Sequence, residues 1–180
     1  MANRDSFILN MKLSKQNTLK KTSLHRAIYP GTFDPITNGH VDLITRSLSI
    51  FDEVIILIAP SSKKPIFTPA ERVKLITQCF KNDPRIKVDI IEGLLADYAK
   101  KVRVNVVLRG LRAISDFEYE FQMATMNKRL HPGLETFFLM ASESNFFVNS
   151  TLVKEVVSHN GDISSLVPPH VEKSLKEKLC

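Results

Sequence analysis

Cysteine is scarce in this chain. Its two cysteines, Cys79 and Cys180, stand far apart and show neither metal-ligand spacing nor a disulfide framework. A reducing setting is therefore expected, and with it a cytoplasmic location. No apolar run approaches the roughly 20 residues that cross a bilayer, so no membrane partner is expected. The N-terminal segment holds no apolar core of a signal peptide. No repeat or low-complexity linker divides the 180 residues, and 43% apolar content suits one globular domain with a good core. Neither the Gly-x-Gly-x-x-Gly fingerprint nor the Gly-Lys-Ser/Thr of a P-loop occurs, which removes support for hydride-transferring dinucleotide enzymes.

The excess of positive charge is local. Of 25 Lys/Arg and 19 Asp/Glu, six basic residues and one acid fall within residues 1–26, so residues 27–180 carry 19 basic and 18 acidic groups, a net charge of +1. A nucleic-acid partner would require a basic face on the folded body, and none is expected. Residues 1–25 read as a disordered basic extension, or as one preceding the true start, and residues 26–180 as the domain.

Among what is present, one stretch stands out: Tyr29 to His40, YPGTFDPITNGH. It follows the apolar Ala27-Ile28-Tyr29 and precedes Val41, Ile44, Leu48 and Phe51 at helical spacing. This is strand, tight loop and helix. A helix start offers free N–H groups and the positive end of the dipole, a seat for phosphate. His40 at that start points to chemistry on the phosphate.

Beyond it, strand-like and helix-like stretches alternate. Val54–Ala59 is an apolar run of a strand covered on both faces, and Thr68-Pro69-Ala70-Glu71 is a capping box opening a helix that runs to about Phe80. Residues 86–91, 105–108 and 135–140 read as strands; 94–102 and 116–130 read as helices. Asn149-Ser150-Thr151 caps a helix ending near His159, and Pro168-Pro169 opens a last one. The order predicts one doubly wound α/β domain, a five-stranded parallel sheet with a C-terminal helical segment. Ligands of such sheets bind beyond the carboxyl ends of the strands, which puts Thr32, His40, Lys63, Arg109, Arg112 and Ser150 on one rim.

Thr37-Asn38-Gly39-His40 resembles the T/H-x-G-H signature of the nucleotidyltransferases related in fold to class I aminoacyl-tRNA synthetases. Ser62-Lys63-Lys64-Pro65, Arg109-Gly110-Leu111-Arg112-Ala113, Asp116–Glu120 and Val148–Lys154 further resemble bacterial phosphopantetheine adenylyltransferases, in order and spacing, over about residues 26–179. The resemblance implies reversible transfer of an adenylyl group from ATP to 4′-phosphopantetheine, giving dephospho-coenzyme A and pyrophosphate. It implies catalytic roles for His40, Lys63, Thr32 and Arg109. ATP would be held by Thr32, Phe33, His40, Gly110, Leu111, Arg112 and Glu120, together with Asn145, Phe146, Phe147, Val148, Asn149, Ser150 and Thr151. Phosphopantetheine would be held by Thr32, Lys63, Leu95 and Arg109. Mg²⁺ would arrive with ATP, coenzyme A would be a feedback ligand, and the assembly would be a homohexamer.

The chemistry suits these residue types. A phosphate monoester has a second pKa near 6, so it is already close to a dianion at neutral pH and needs no general base. Catalysis becomes positioning and charge stabilisation, which explains the absence of Ser-His-Asp or Cys-His arrangements. Each residue has a plainer alternative. His40 could simply cap its helix, Lys63 and Lys64 could be solvated, and Arg112 could pair with Asp116 or Glu120. Glu120 could be a surface residue, and Phe117, Tyr119 and Phe121 suit packing or subunit contacts. Asn149 stands where the family commonly has serine, and Ser142–Asn145 departs from its usual aromatic segment. Two other functions stay open: a superfamily relative acting on nicotinamide mononucleotide or a phosphoalcohol, and a nucleotide-binding regulatory module without turnover.

Overall fold

The computed structural model describes residues 24–60, 65–81 and 83–179. Apart from Leu24 and His25, the basic extension lies outside the described residues, and so does Lys63. Eleven elements follow one another along these residues: β1 (Arg26–Gly31), α1 (Asn38–Ser47), β2 (Glu53–Ile58), α2 (Pro69–Cys79), β3 (Ile86–Ile90), α3 (Leu95–Val102), β4 (Val106–Leu111), α4 (Ile114–Leu130), β5 (Glu135–Met140), α5 (Ser150–Ser158) and α6 (Pro169–Leu179). The strands form a single parallel sheet in the order β3-β2-β1-β4-β5. This is the doubly wound arrangement expected from the alternation of elements.

Strand alternation divides the core. Ala27, Tyr29, Val54, Ile56 and Ile58 face one side, where they meet Leu43 and Ile44 of α1, Leu75 and Ile76 of α2, Val153 and Val157 of α5, and Val171 and Leu175 of α6. Ile28, Ile55, Leu57 and Val107 face the other side with Ala99 of α3 and Leu134. Successive residues of β1 and β2 therefore serve opposite layers, which is why both strands read as continuous apolar runs.

β1 and β4 diverge at the point that makes the site. Their register is confined to Ile28 opposite Val107, whereas β1 pairs with β2 from Arg26 to Gly31. Pro30 has no N–H for a ladder and would be out of place in the middle of a fully paired central strand. Its carbonyl faces β4 and accepts a hydrogen bond from Arg109 Nη1 at 2.6 Å instead. A side chain thus replaces the backbone ladder where the strand order reverses, the usual position of a ligand cleft in this class.

β4 differs from expectation. The apolar run suggested a strand ending at Leu108, with Arg109–Arg112 as a loop. The strand continues to Leu111, with Arg109, Gly110 and Leu111 paired to Phe138, Leu139 and Met140 of β5. The charge is tolerated because Glu120 pairs with it. Gly110 lets α1 approach: a Cβ there would lie 2.5 Å from Leu43 Cδ1. α4 also begins two residues before the expected Asp116, at Ile114.

Candidate active site

The loop after β1 is shaped by packing. Phe33 adopts φ 47°, a left-handed backbone that side chains larger than glycine seldom take. Its ring is buried against Tyr29 (centroids 5.4 Å apart) and edge-on to His40 (5.1 Å). A Cβ on Gly31 would come within 2.9 Å of that ring, so glycine makes room for it. Asp34 accepts the N–H groups of Ile66 and Phe67 at 3.1 and 2.9 Å and pairs with Lys154 of α5 at 3.2 Å.

His40 both caps its helix and faces the cleft. Thr37 is the N-cap of α1, and its hydroxyl accepts the His40 N–H while His40 Nδ1 accepts the Thr37 N–H at 3.0 Å. That reciprocal pair normally uses Glu or Gln at the third helical position. An Nδ1 that accepts a backbone N–H carries no proton, so the neutral ring holds its proton on Nε2. Burial, followed by the nearby Arg112 and Arg109 charges, lowers the His40 pKa to about 4. The imidazole is therefore neutral at pH 7, with one N–H to donate. Tyr29, buried beside it, has its phenol pushed up to about 12 by that burial and stays protonated.

Two helix N-termini meet at the cavity below His40, whose volume is about 280 Å³. Gly39 and His40 come from α1, and Asn149, Ser150 and Thr151 from the start of α5. Asn149 caps α5 through Oδ1, which accepts the Leu152 N–H at 2.8 Å. Ser150 Oγ donates to Pro35 O at 2.8 Å and ties α5 to the β1 loop. Gly110, Arg112, Asn145, Val148 and Thr32 complete the relevant lining, which contains no carboxylate. Arg112 is forked on Asp116 through Nε and Nη2 at 3.1 and 3.2 Å. Two dipole ends, an imidazole N–H and a guanidinium suit a polyphosphate.

A second cavity of about 490 Å³ adjoins the first and shares Thr32 with it. Arg109 and Glu120 stand at its charged end. Arg109 donates to both Glu120 carboxylate oxygens, through Nε at 2.5 Å and through Nη2. Burial works against the Arg109 charge, but the Glu120 pair overrides it and raises the pKa, so the guanidinium stays charged. Away from that pair the lining is mostly apolar, with Leu95, Ile91, Val107, Met123 and Ala124.

The expected residues separate accordingly. Thr32, His40, Gly110, Arg112, Asn145, Val148, Asn149, Ser150 and Thr151 gather at the smaller cavity, and Thr32, Leu95 and Arg109 at the larger. Glu120, grouped with ATP in the sequence reading, stands instead with Arg109 at the larger cavity. Phe33 and Leu111 are buried beside the site without lining either cavity, and Phe146 and Phe147 are exposed, packed against each other.

Asn127 was not singled out from the sequence. It is 9% exposed, lines the larger cavity, and its side-chain amide bonds to no described residue. The signal was present in the sequence: Glu120, Met123, Ala124 and Asn127 follow the i, i+3, i+4, i+7 spacing of one helix face.

Residues 28–156 match the cytidylyltransferase-like family model. The chain is 48% identical over 154 residues to a phosphopantetheine adenylyltransferase of Dictyoglomus thermophilum, covering 85% of this chain and 94% of that protein. A solved structure of a Vibrio parahaemolyticus protein, provisionally assigned as a nicotinate-nucleotide adenylyltransferase, superposes with a TM-score of 0.64. That match covers 86% of this chain and 96% of the other at 19% identity, a likeness of fold.

Proposed function

The chain belongs to the phosphopantetheine adenylyltransferases of the cytidylyltransferase-like family, and on that premise we propose that it joins ATP to 4′-phosphopantetheine by direct in-line displacement. The observation that carries the mechanism is the pair of cavities meeting at Thr32, one presenting helix N-termini and the His40 N–H, the other Arg109 and a long apolar wall. A phosphate oxygen of phosphopantetheine attacks the α-phosphorus of ATP. The bond to the bridging oxygen of pyrophosphate breaks, and pyrophosphate leaves with those electrons.

In this reading ATP occupies the smaller cavity, its outer phosphates over the first turn of α5. His40 Nε2–H donates to the α-phosphate, where negative charge builds in the transition state. Arg109 holds the attacking phosphate, and Thr32 orients it at the junction. Lys63, following β2 in sequence, would bridge the two anions. Because the lining of the smaller cavity is hydroxyl, amide and guanidinium without carboxylate, Mg²⁺ would enter coordinated to the triphosphate and water. The direct test is ATP–pyrophosphate exchange dependent on dephospho-coenzyme A. Exchange is expected with Mg²⁺ and abolished by EDTA; its absence from the intact protein would overturn the reading.

The larger cavity would take the pantetheine arm, whose two amides need partners in an otherwise apolar wall. Asn127 offers one. Asn127→Leu is expected to raise the KM for phosphopantetheine about tenfold, the equivalent of one hydrogen bond left unmade in a dry pocket, with the KM for ATP unchanged. Equal KM values for both substrates before and after the change would remove Asn127 from the arm site.

Three finer expectations are proposals of the same kind. Cytoplasmic location and feedback by coenzyme A, which shares the pantetheine arm, follow from the family reading. Among the described residues no helix is long and apolar enough to cross a membrane. A homohexamer is supported by the apolar surface that α4 and β5 expose, Phe117, Phe121, Met126, Phe137 and Met140. Light scattering that gave the mass of a monomer at micromolar concentration would refute it.

A further inference from the structure

Arg72 lies on α2, outside every motif considered above. It is 2% exposed, and its guanidinium makes no ion pair with any described residue. Withdrawing a cation from water without a counter-charge is costly. The side chain is committed instead to main-chain carbonyls: Nε donates to Phe67 O at 3.1 Å, and Nη1 to Thr32 O at 2.8 Å, with Ala59 O at 3.5 Å. Thr32 and Ala59 directly follow β1 and β2, at the rim where the two cavities meet.

The bond to Thr32 has a geometric consequence. In a planar trans peptide the C=O and the following N–H point in opposite directions. The Thr32–Phe33 bond is trans, so fixing Thr32 O on Arg72 turns the Phe33 N–H away from α2. The Phe33 ring, wedged over Gly31 and against His40, holds the other side of that peptide in its left-handed backbone. No described residue accepts the Phe33 N–H.

We propose that Arg72 is a positioning residue for adenylyl transfer, fixing the Thr32–Phe33 peptide so that the Phe33 N–H serves as a donor to the phosphates that meet at Thr32. The inference rests on the adenylyltransferase reading. Arginine suits the task because its rigid fork addresses several carbonyls at once, which a lysine ammonium on a flexible stem does not.

The test compares Arg72→Met and Arg72→Lys with the intact protein in the exchange assay, counting folded sites by ATP titration. Arg72→Met fills the same space without donors. It is expected to lower kcat per ATP-binding site about 30-fold, within the range for losing one aligned donor to a developing charge, while the KM for ATP moves less than threefold. Arg72→Lys should fall in the same direction by about tenfold, and it decides the matter if the methionine variant does not fold. A residue that merely staples the fold would shift Tm and the number of active sites but leave turnover per site intact. Either variant, folded and turning over within twofold of the intact protein per site, overturns the proposal. Absence of exchange in the intact protein would overturn the underlying reading as well, which separates the two failures.

Discussion

His40→Ala is expected to lower kcat by about 10²–10³ while the KM for ATP changes little, because in the proposed mechanism the Nε2–H matters most as charge builds on the α-phosphate. The same variant should also lose stability, about 1 kcal/mol, since Nδ1 accepts the Thr37 N–H and closes the capping box. His40→Gln separates the two roles. Glutamine is an ordinary partner in such a box, so Tm should be recovered while turnover is not. The pH dependence follows from the neutral ring. With a folded pKa of about 4 against an ordinary 6.5, the unfolded chain binds a proton here more readily than the folded one. The His40 contribution to stability is then full above pH 6.5 and is lost as pH falls from 6.5 to 4, a slope that His40→Gln should lack. The rise of kcat/KM near pH 6 should belong to the substrate phosphate and persist in the residual activity of the variant. A rise near 6.5 that vanished in His40→Gln, or near-normal turnover in either variant, would sink the assignment.

The sequence made the site legible where chemistry is local. Caps lie within three residues of what they cap, so Thr68 and Asn149 could be read directly, and both accept the hydrogen bonds expected of them. The centre of the parallel sheet was legible because strands covered on both faces, as β1 and β2 are, must be apolar on both. What could not be read depends on partners brought together by the fold. Arg109 seemed to end its strand because its charge had no visible partner; the partner, Glu120, lies eleven residues on, across the connection to α4. Arg72 carries no local signal, because nothing in its sequence neighbourhood reveals that the carbonyls of Thr32 and Ala59 converge on it. The capping and catalytic readings of His40 were weighed as rivals, yet they use different nitrogens of one ring.

Arg109→Met carries the second large effect, and here two losses have the same sign. The substitution removes the proposed donor for the attacking phosphate, and it leaves Glu120 as an unpaired carboxylate, its side chain 11% exposed, at the end of the cavity proposed to seat that anion. The KM for phosphopantetheine should rise about 100-fold or more, and that for ATP much less, while stability falls by about 3 kcal/mol, the low end for breaking a buried pair. Removing both partners should behave differently. In R109M/E120M no charge is stranded, so most of the stability should return, as replacement of both members of such a pair by apolar groups is often neutral. Binding should recover only partly: the repulsion is gone, but the donor has not come back. The comparison also decides the place of Glu120. If it served ATP, as the sequence suggested, the single change Glu120→Met would raise the KM for ATP more than that for phosphopantetheine. The fork on Arg109 predicts the opposite order, and steady-state kinetics with each substrate varied in turn will show which holds.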